Sequence, residues 1–426
     1  MKLTQSASLV VWLAAACALG AFAQAPAAAN AASGFALHDG DHVTFYGDSI
    51  TEQREYTEFV EEYVLTRFPH WKVSFHNAGV GGDKVSGGWA GPVDLRVQRD
   101  VLAVRPDVVT IMLGMNDGYY RPSQPGIVST FADGYRHIVD TIQTSLPQTR
   151  ITLIVPSPYD DVTRAAEYAG GYNGALLKLG DAVSQLGKER HFEVVDFNAP
   201  VTTFLKTLSE KSPELAPQLV PDRVHPQEGG HWIMAESLLK QWNAPSLVSS
   251  VRIAAVSKSG AEAQNSRVTD LQRVKGRLSW TELDEALPVP FPPAEVSPVL
   301  ALTLKYSDLI TVLDQQMLEI RGLPTGNYDL RIDDRKIGTF TSDDFSMGLN
   351  LATLETPMVE QARLVAFDTE KKNQIEAERF KIINVSVTAE ASTTAAALAR
   401  AIPVAEARQR ADAEPRPHHF EVIPHQ

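Results

Sequence analysis

Val43-Thr44-Phe45-Tyr46-Gly47-Asp48-Ser49-Ile50-Thr51 decides how this chain is read. An apolar run broken by Gly-Asp-Ser is the pattern of a buried strand that stops in a tight turn. In an open α/β sheet such a turn carries its side chains past the carboxyl ends of the strands, where ligands bind. A serine hydroxyl in that place has two readings. It can cap the following helix. It can also be a nucleophile, which requires a base and oxyanion donors to converge on it.

Outward from this stretch the strand-then-turn pattern recurs. Residues 72–75 run into Asn77-Ala78-Gly79-Val80-Gly81-Gly82-Asp83, and the β-branched run 107–113 opens into Gly114-Met115-Asn116-Asp117. An apolar strand over 151–155 ends at Pro156-Ser157-Pro158, and another is expected over 192–196. Helical spacing over 56–67, 93–104, 127–145, 172–186 and 229–242 fills the intervals. Five short apolar strands alternating with helices predict α/β architecture, with a parallel sheet covered on both faces.

The glycine run 79–82 is not a phosphate loop. No Gly-Lys-Ser/Thr follows, and Lys84 stands where a dinucleotide fingerprint wants its third glycine. A bare Gly82 N–H can instead approach an anion closely. The Asn116 amide can donate to the same anion or make an Asx-turn. Asp222 and His225 lie three apart before Pro226, a spacing that lets the carboxylate hold the imidazole in one tautomer, as a serine nucleophile needs. A solvated surface histidine is the other reading. Asp48 and Asp117 read as anchors of their turns. Tyr119, Tyr120 and Arg121 are candidates to line a substrate pocket or to form a solvated loop, and Tyr159 and Asp160-Asp161 are similar candidates.

In their order, Gly47-Asp48-Ser49, 77–83, Gly114-Met115-Asn116-Asp117 and Asp222-Arg223-Val224-His225-Pro226 resemble the blocks of the GDSL or SGNH hydrolases. The resemblance spans about residues 41–245. Gly81 departs from the Ser that many members carry there. The resemblance implies a three-layer α/β/α sandwich with a parallel, flavodoxin-like five-stranded sheet. It implies a serine esterase with Ser49, Asp222 and His225 as the triad. The oxyanion hole would be the N–H groups of Ser49 and Gly82 with the Asn116 amide. No cofactor or metal is expected. The expected substrate is a small-molecule or glycan ester, with a short acyl group such as acetyl. A lipase, lysophospholipase or thioesterase of the same family is the alternative, and a non-catalytic envelope or carbohydrate-binding protein is another. An α/β-hydrolase would need Gly-x-Ser-x-Gly, and Thr51 occupies the second glycine position. His-Glu-x-x-His, the zinc-hydrolase signature, does not occur.

The flanks complete the expectation. The chain has 426 residues, 44% hydrophobic and 21% charged, which predicts two domains plus tails. A net charge of −13 argues against nucleic-acid partners and anionic membrane surfaces. Residues 1–23 read as a signal peptide: Lys2, an apolar run over 7–22, then Ala21-Phe22-Ala23 as a cleavage site. That run is short for a membrane span, so no integral span is expected after its removal. The expected location is periplasmic or extracellular, with lipidation of Cys17 as an alternative.

Residues 24–36 read as a flexible leader, 37–250 as the hydrolase domain and 251–298 as a linker with a helical connector over 267–287. Residues 299–384 read as a small β-meander (317–321, 328–332, 336–340) plus a helix over 358–382. Residues 385–426 read as a mostly disordered tail. Leu323-Pro324-Thr325-Gly326-Asn327-Tyr328 and 347–352 resemble the C-terminal extension of some exported bacterial members.

Overall fold

The computed structural model describes residues 34–257, 260–274, 276–293, 296–385 and 388–425. The signal peptide, Cys17 and leader residues 24–33 lie outside them. Residues from Gly34 onward belong to one compact unit. The expected leader ends early, because Phe35 is buried and stacks with Phe68 and Trp71.

The first half runs β1 (His42–Gly47), α1 (Ser49–Glu52), α2 (Glu55–Arg67) and β2 (Ser74–Gly79). A hairpin of β3 (Gly87–Gly88) and β4 (Gly91–Pro92) leads into α3 (Val93–Val97), which continues as the π-helical turn Gln98–Leu102. Then come β5 (Val108–Met112), α4 (Ile127–Ser145), β6 (Arg150–Val155), α5 (Gly171–Arg190), β7 (Glu193–Asp196), α6 (Asn198–Lys211) and α7 (Glu228–Gln241).

The five main strands form one parallel sheet in the order β2-β1-β5-β6-β7, between helical layers. All five residues of β5 are buried, as a strand covered on both faces requires. One stripe of α4, Phe131, Tyr135, Ile138, Val139 and Ile142, supplies part of the cover. The strand order reverses at β1 and β5. Residues 48–52 and 113–117 leave the sheet there, at the crevice where such folds bind ligands.

The second half differs from the expectation. It contains β8 (Leu247–Ala254), β9 (Glu262–Gln264), β10 (Ser266–Val274), β11 (Arg277–Asp284), α8 (Pro298–Tyr306), α9 (Leu309–Leu313), β12 (Gln315–Arg321), β13 (Asn327–Ile332) and β14 (Arg335–Thr341). These are followed by α10 (Ser342–Met347), β15 (Leu349–Asn350), α11 (Pro357–Val385), α12 (Ala389–Ala413) and β16 (His418–Pro424).

The expected helical connector 267–287 is instead the β10–β11 hairpin. Leu278, Trp280, Glu282 and Asp284 alternate inward, and the two buried carboxylates disguise the period-2 pattern. The meander divides as well. β13 and β14 pair with each other, while β12 lies parallel to β8 in a second sheet, ordered β15-β12-β8-β9.

The tail expected to be disordered is ordered over its described residues. Its Ala, Glu and Arg content is that of a good helix former, and α12 packs along α11. β16 then enters the sheet β10-β11-β16-β13-β14, burying Phe420 and Val422. Both β sheets share a core with Leu65 of α2, among them Val251, Trp280, Leu318 and Leu330. The C-terminal region is therefore packed onto the parallel-sheet half.

A buried ionic network joins the same two regions. Arg54, just past α1 in the left-handed conformation (φ 72°), places Nη1 3.0 Å from Glu376 and from Asn373 Oδ1, both on α11. Lys372 lies 3.2 Å from Glu61 on α2 and donates to the Phe75 carbonyl at 2.9 Å. His76 Nδ1 is 2.9 Å from Glu376. Burial alone would raise the Glu376 carboxyl, but Lys372, His76 and Arg54 hold it well below the usual range.

Candidate active site

β1 ends at Gly47, and Asp48 caps the short α1 by accepting the Ile50 N–H at 3.1 Å. Ser49 is thus the first residue of a helical turn at the mouth of the crevice. Close backbone approach holds that turn against β2, since a Cβ on Gly79 would sit 2.2 Å from the Glu52 nitrogen. Glu52 reaches back to accept the Gly81 N–H at 2.9 Å.

The Asp222 to His225 segment precedes α7. Asp222 Oδ1 accepts the Val224 and His225 N–H groups at 2.9 and 2.8 Å, and Oδ2 lies 2.6 Å from His225 Nδ1. Partial burial would raise the Asp222 carboxyl, but these hydrogen bonds and the imidazole outweigh it and lower it. His225 Nε2 is 2.8 Å from Ser49 Oγ. With Nδ1–H directed at the carboxylate, the Nε2 lone pair faces the serine hydroxyl, the tautomer this hydrogen-bond network selects. Such a chain can take the proton from Ser49.

Opposite lies the glycine loop. Gly82 has φ +77°, and the space around its Cα is open. Its N–H has no acceptor among the described residues. Neighbouring Gly81 is close enough that a Cβ there would lie 3.8 Å from Ser49 Cβ. Asn116 Nδ2 donates to the Asp83 carbonyl at 3.0 Å, and Asn116 Oδ1 accepts the Tyr120 hydroxyl at 2.9 Å. These two partners orient the amide and leave its second N–H free. Burial, then Asp48 and Asp222, push the Tyr120 phenol up, which keeps it a donor.

Below the loop three carboxylates crowd together. Asp83 is paired to fully buried Arg96 at 2.7 Å, and Arg96 also binds Asp100 and the Ala78 carbonyl. Asp117 accepts the Val85 N–H at 3.1 Å. One oxygen each of Asp48, Asp83 and Asp117 is buried without a protein hydrogen-bond partner. Burial, opposed by the backbone hydrogen bonds and reinforced by the neighbouring carboxylates, pushes Asp48 and Asp117 up to about 7.

The remaining candidates divide. Tyr119 and Tyr120 both have positive φ and are exposed, and Arg121 stacks on the Tyr119 ring at 5.0 Å. Tyr120 reaches the site through Asn116. Asp160 and Asp161 do not reach Ser49. Asp160 binds Arg164 and donates its N–H to the Arg223 carbonyl, and Asp161 lies 3.5 Å from Arg223, so they brace the loop carrying Asp222. Sequence reasoning missed two contacts. The Glu52 brace carries no sequence signal. Trp89 was visible as an aromatic between Gly88 and Gly91, and it is 60% exposed with its indole N–H bound to the Gly81 carbonyl at 2.8 Å. A groove of about 630 Å³ between α6, α7 and the α8–α9 turn shares no residue with this site.

The fold and this site define an α/β acyl-transfer scaffold, and the comparisons specify it. The model of the GDSL-like lipase/acylhydrolase family matches residues 45–233. An acetylxylan esterase of Geobacillus stearothermophilus is 24% identical over 229 residues, 48% of this chain and 95% of that protein. The structure of a gut microbial diltiazem-metabolizing enzyme superposes over 91% of this chain and 98% of its own, with a TM-score of 0.80 and 22% identity. That likeness is one of fold, and it includes the C-terminal region. A crystal structure of the acetylxylan esterase Axe2 from Geobacillus stearothermophilus covers 49% of this chain and 96% of its own, with a TM-score of 0.41 and 25% identity. The chain is a carboxylic ester hydrolase, and its residues 45–233 belong to the GDSL or SGNH hydrolase family.

Proposed function

We propose that Ser49 is the nucleophile of a two-step serine esterase that removes short acyl groups, such as acetyl, from carbohydrate or other small alcohol esters. The Asp222–His225–Ser49 hydrogen-bonded chain carries this reading. His225 Nε2 takes the hydroxyl proton while Ser49 Oγ bonds to the ester carbonyl carbon. The oxyanion is held by the N–H groups of Ser49 and Gly82 and the free N–H of Asn116. Collapse breaks the ester C–O bond, and the proton on His225 leaves with the alcohol. Water then attacks the acyl-enzyme, His225 takes its proton and returns it to Ser49 Oγ, and the carboxylic acid departs.

The substrate class draws support from the acetylxylan esterase relative. Residues 1–23 support export to the periplasm or beyond. The test is labelling with a fluorophosphonate, followed by rates on aryl esters of increasing acyl length and on acetylated glycans. Labelling lost in Ser49→Ala and rates falling with chain length are expected. Labelling that persists in Ser49→Ala refutes the nucleophile, and rates climbing toward long chains refute the glycan reading.

A further inference from the structure

We infer that Trp89 is a stacking platform for the sugar ring that carries the ester, a subsite that determines specificity for glycan substrates. The inference rests on the esterase reading of Ser49. Trp89 and Ala90 form the tip of the β3–β4 hairpin, where Gly88 pairs with Gly91. That tip is clamped on both sides. The indole N–H bonds the Gly81 carbonyl at 2.8 Å, and Arg99 donates to the Ala90 carbonyl at 3.2 Å. The ring is therefore fixed in place, yet it remains 60% exposed, while Trp232, Trp242 and Trp280 are fully buried. A rigidly held, half-bare indole is apolar area left for a ligand.

Its position selects the ligand. The indole is anchored on Gly81, which precedes Gly82 in the loop and where a Cβ would lie 3.8 Å from Ser49 Cβ. In an O-acylated sugar only the ester oxygen separates the ring from the carbonyl carbon. A ring whose ester is held at Ser49 and Gly82 must lie within a few ångströms of that loop. Polar groups stand beside it, with Lys84 over the Tyr119 ring at 5.8 Å and the Tyr120 hydroxyl on Asn116. An aromatic face bordered by polar groups suits a pyranose, which has a C–H face and a hydroxylated edge. An acyl chain would need a continuous apolar channel.

The test compares Trp89→Ala with the native enzyme on an acetylated xylo-oligosaccharide and on 4-nitrophenyl acetate. Expected is a rise in KM of about tenfold on the oligosaccharide, the loss of one aromatic contact, with kcat and the aryl acetate rate little changed. A parallel fall on both substrates means that the indole only buttresses Gly81, and it overturns the inference, as does no change on either. Trp89→Phe keeps a ring without the N–H anchor and should retain most of the oligosaccharide KM. An oligosaccharide KM as high as that of the alanine variant overturns the platform. Titrating Ser49→Ala with the oligosaccharide should quench tryptophan emission, and adding Trp89→Phe should abolish the quench. A quench that survives is contrary to the inference. A native enzyme that cleaves aryl acetate but no acetylated glycan overturns the platform and leaves the serine esterase standing. Undiminished activity in Ser49→Ala removes the esterase reading itself.

Discussion

Two buried clusters of charge flank the four-residue helix that carries Ser49, and they are built on opposite principles. Before it, Asp48, Asp83 and Asp117 crowd together with Arg96 as the fully buried cation, and Arg96 is shared with Asp100. Just after it, Arg54, Lys372 and His76 surround Glu376, with Glu61 completing the pairing. In the first cluster burial wins, and Asp48 and Asp117 are pushed up to about 7. In the second, pairing wins over burial and Glu376 is held low. The same chemical group is pushed up toward neutrality on one side of Ser49 and held ionised on the other, and the nearby cations decide which. The junction holds Glu376 ionised between Arg54 and Lys372, whereas Asp48 and Asp117 in the floor of the site change charge near neutrality.

The largest separation between the two sides should come from Ser49→Ala. It is expected to lower kcat by about a million-fold while leaving the denaturation midpoint where it was, because neither cluster loses a partner. A large shift in that midpoint would tie the hydroxyl to the frame rather than to chemistry. Lys372→Met attacks the other side, removing the cation shared by Glu61 and Glu376. It should cost about 3 kcal/mol of stability in urea titrations, the lower end for a broken buried pair, because Arg54 and His76 remain on Glu376, with the kcat of the folded fraction little altered. If stability hardly moves, the junction is not locked by charge.

Asn116→Ala removes one of the proposed oxyanion donors and should lower kcat about a hundred- to a thousand-fold, measured on an aryl acetate. A fall as deep as that of the serine variant would mean that the loop itself had collapsed.

The smallest effect is a slope. Between about pH 4, where an exposed aspartate titrates, and about 7, the native Asp48 and Asp117 hold protons that the unfolded chain has released. Their contribution to stability is complete below that window and is lost as the pH rises through it. Glu376 has the opposite sign: its contribution is present above about pH 4.3 and is lost as the pH falls toward its depressed native value. Thermal melts across pH should show Asp48→Asn flattening the loss between pH 4 and 7. A slope unchanged in both Asp48→Asn and Asp117→Asn would place its origin elsewhere.

The parallel sheet was legible because its strands are short and four of the five, β1, β2, β5 and β6, end in a glycine or proline motif, so pattern and environment agree. Ser49, Gly82, Asn116, Asp222 and His225 stood out because each follows a strand or precedes a helix in a fixed order. Strand β11 was misread because Glu282 and Asp284 point into the core, where hydrophobic periodicity expects no charge. Helix α12 was misread because its stability comes from packing on α11, a partner a local window does not contain. Arg54, Lys372 and Glu376 look like solvated charges in sequence, and only the fold reveals them as mutual partners. Trp89 was visible as an aromatic, but its glycine-rich surroundings carry no periodicity that would assign it a place.

Strand β16 has a consequence for how the molecule is made. It occupies the middle of its sheet, hydrogen-bonded to β11 on one side and β13 on the other. On a ribosome, those neighbours emerge long before residues 418–424 and must wait with facing edges unpaired. The parallel sheet, whose last strand ends at Asp196, can close meanwhile. Synthesis would therefore present a formed Ser49 crevice beside an unfinished second sheet, which β16 completes when it inserts between β11 and β13.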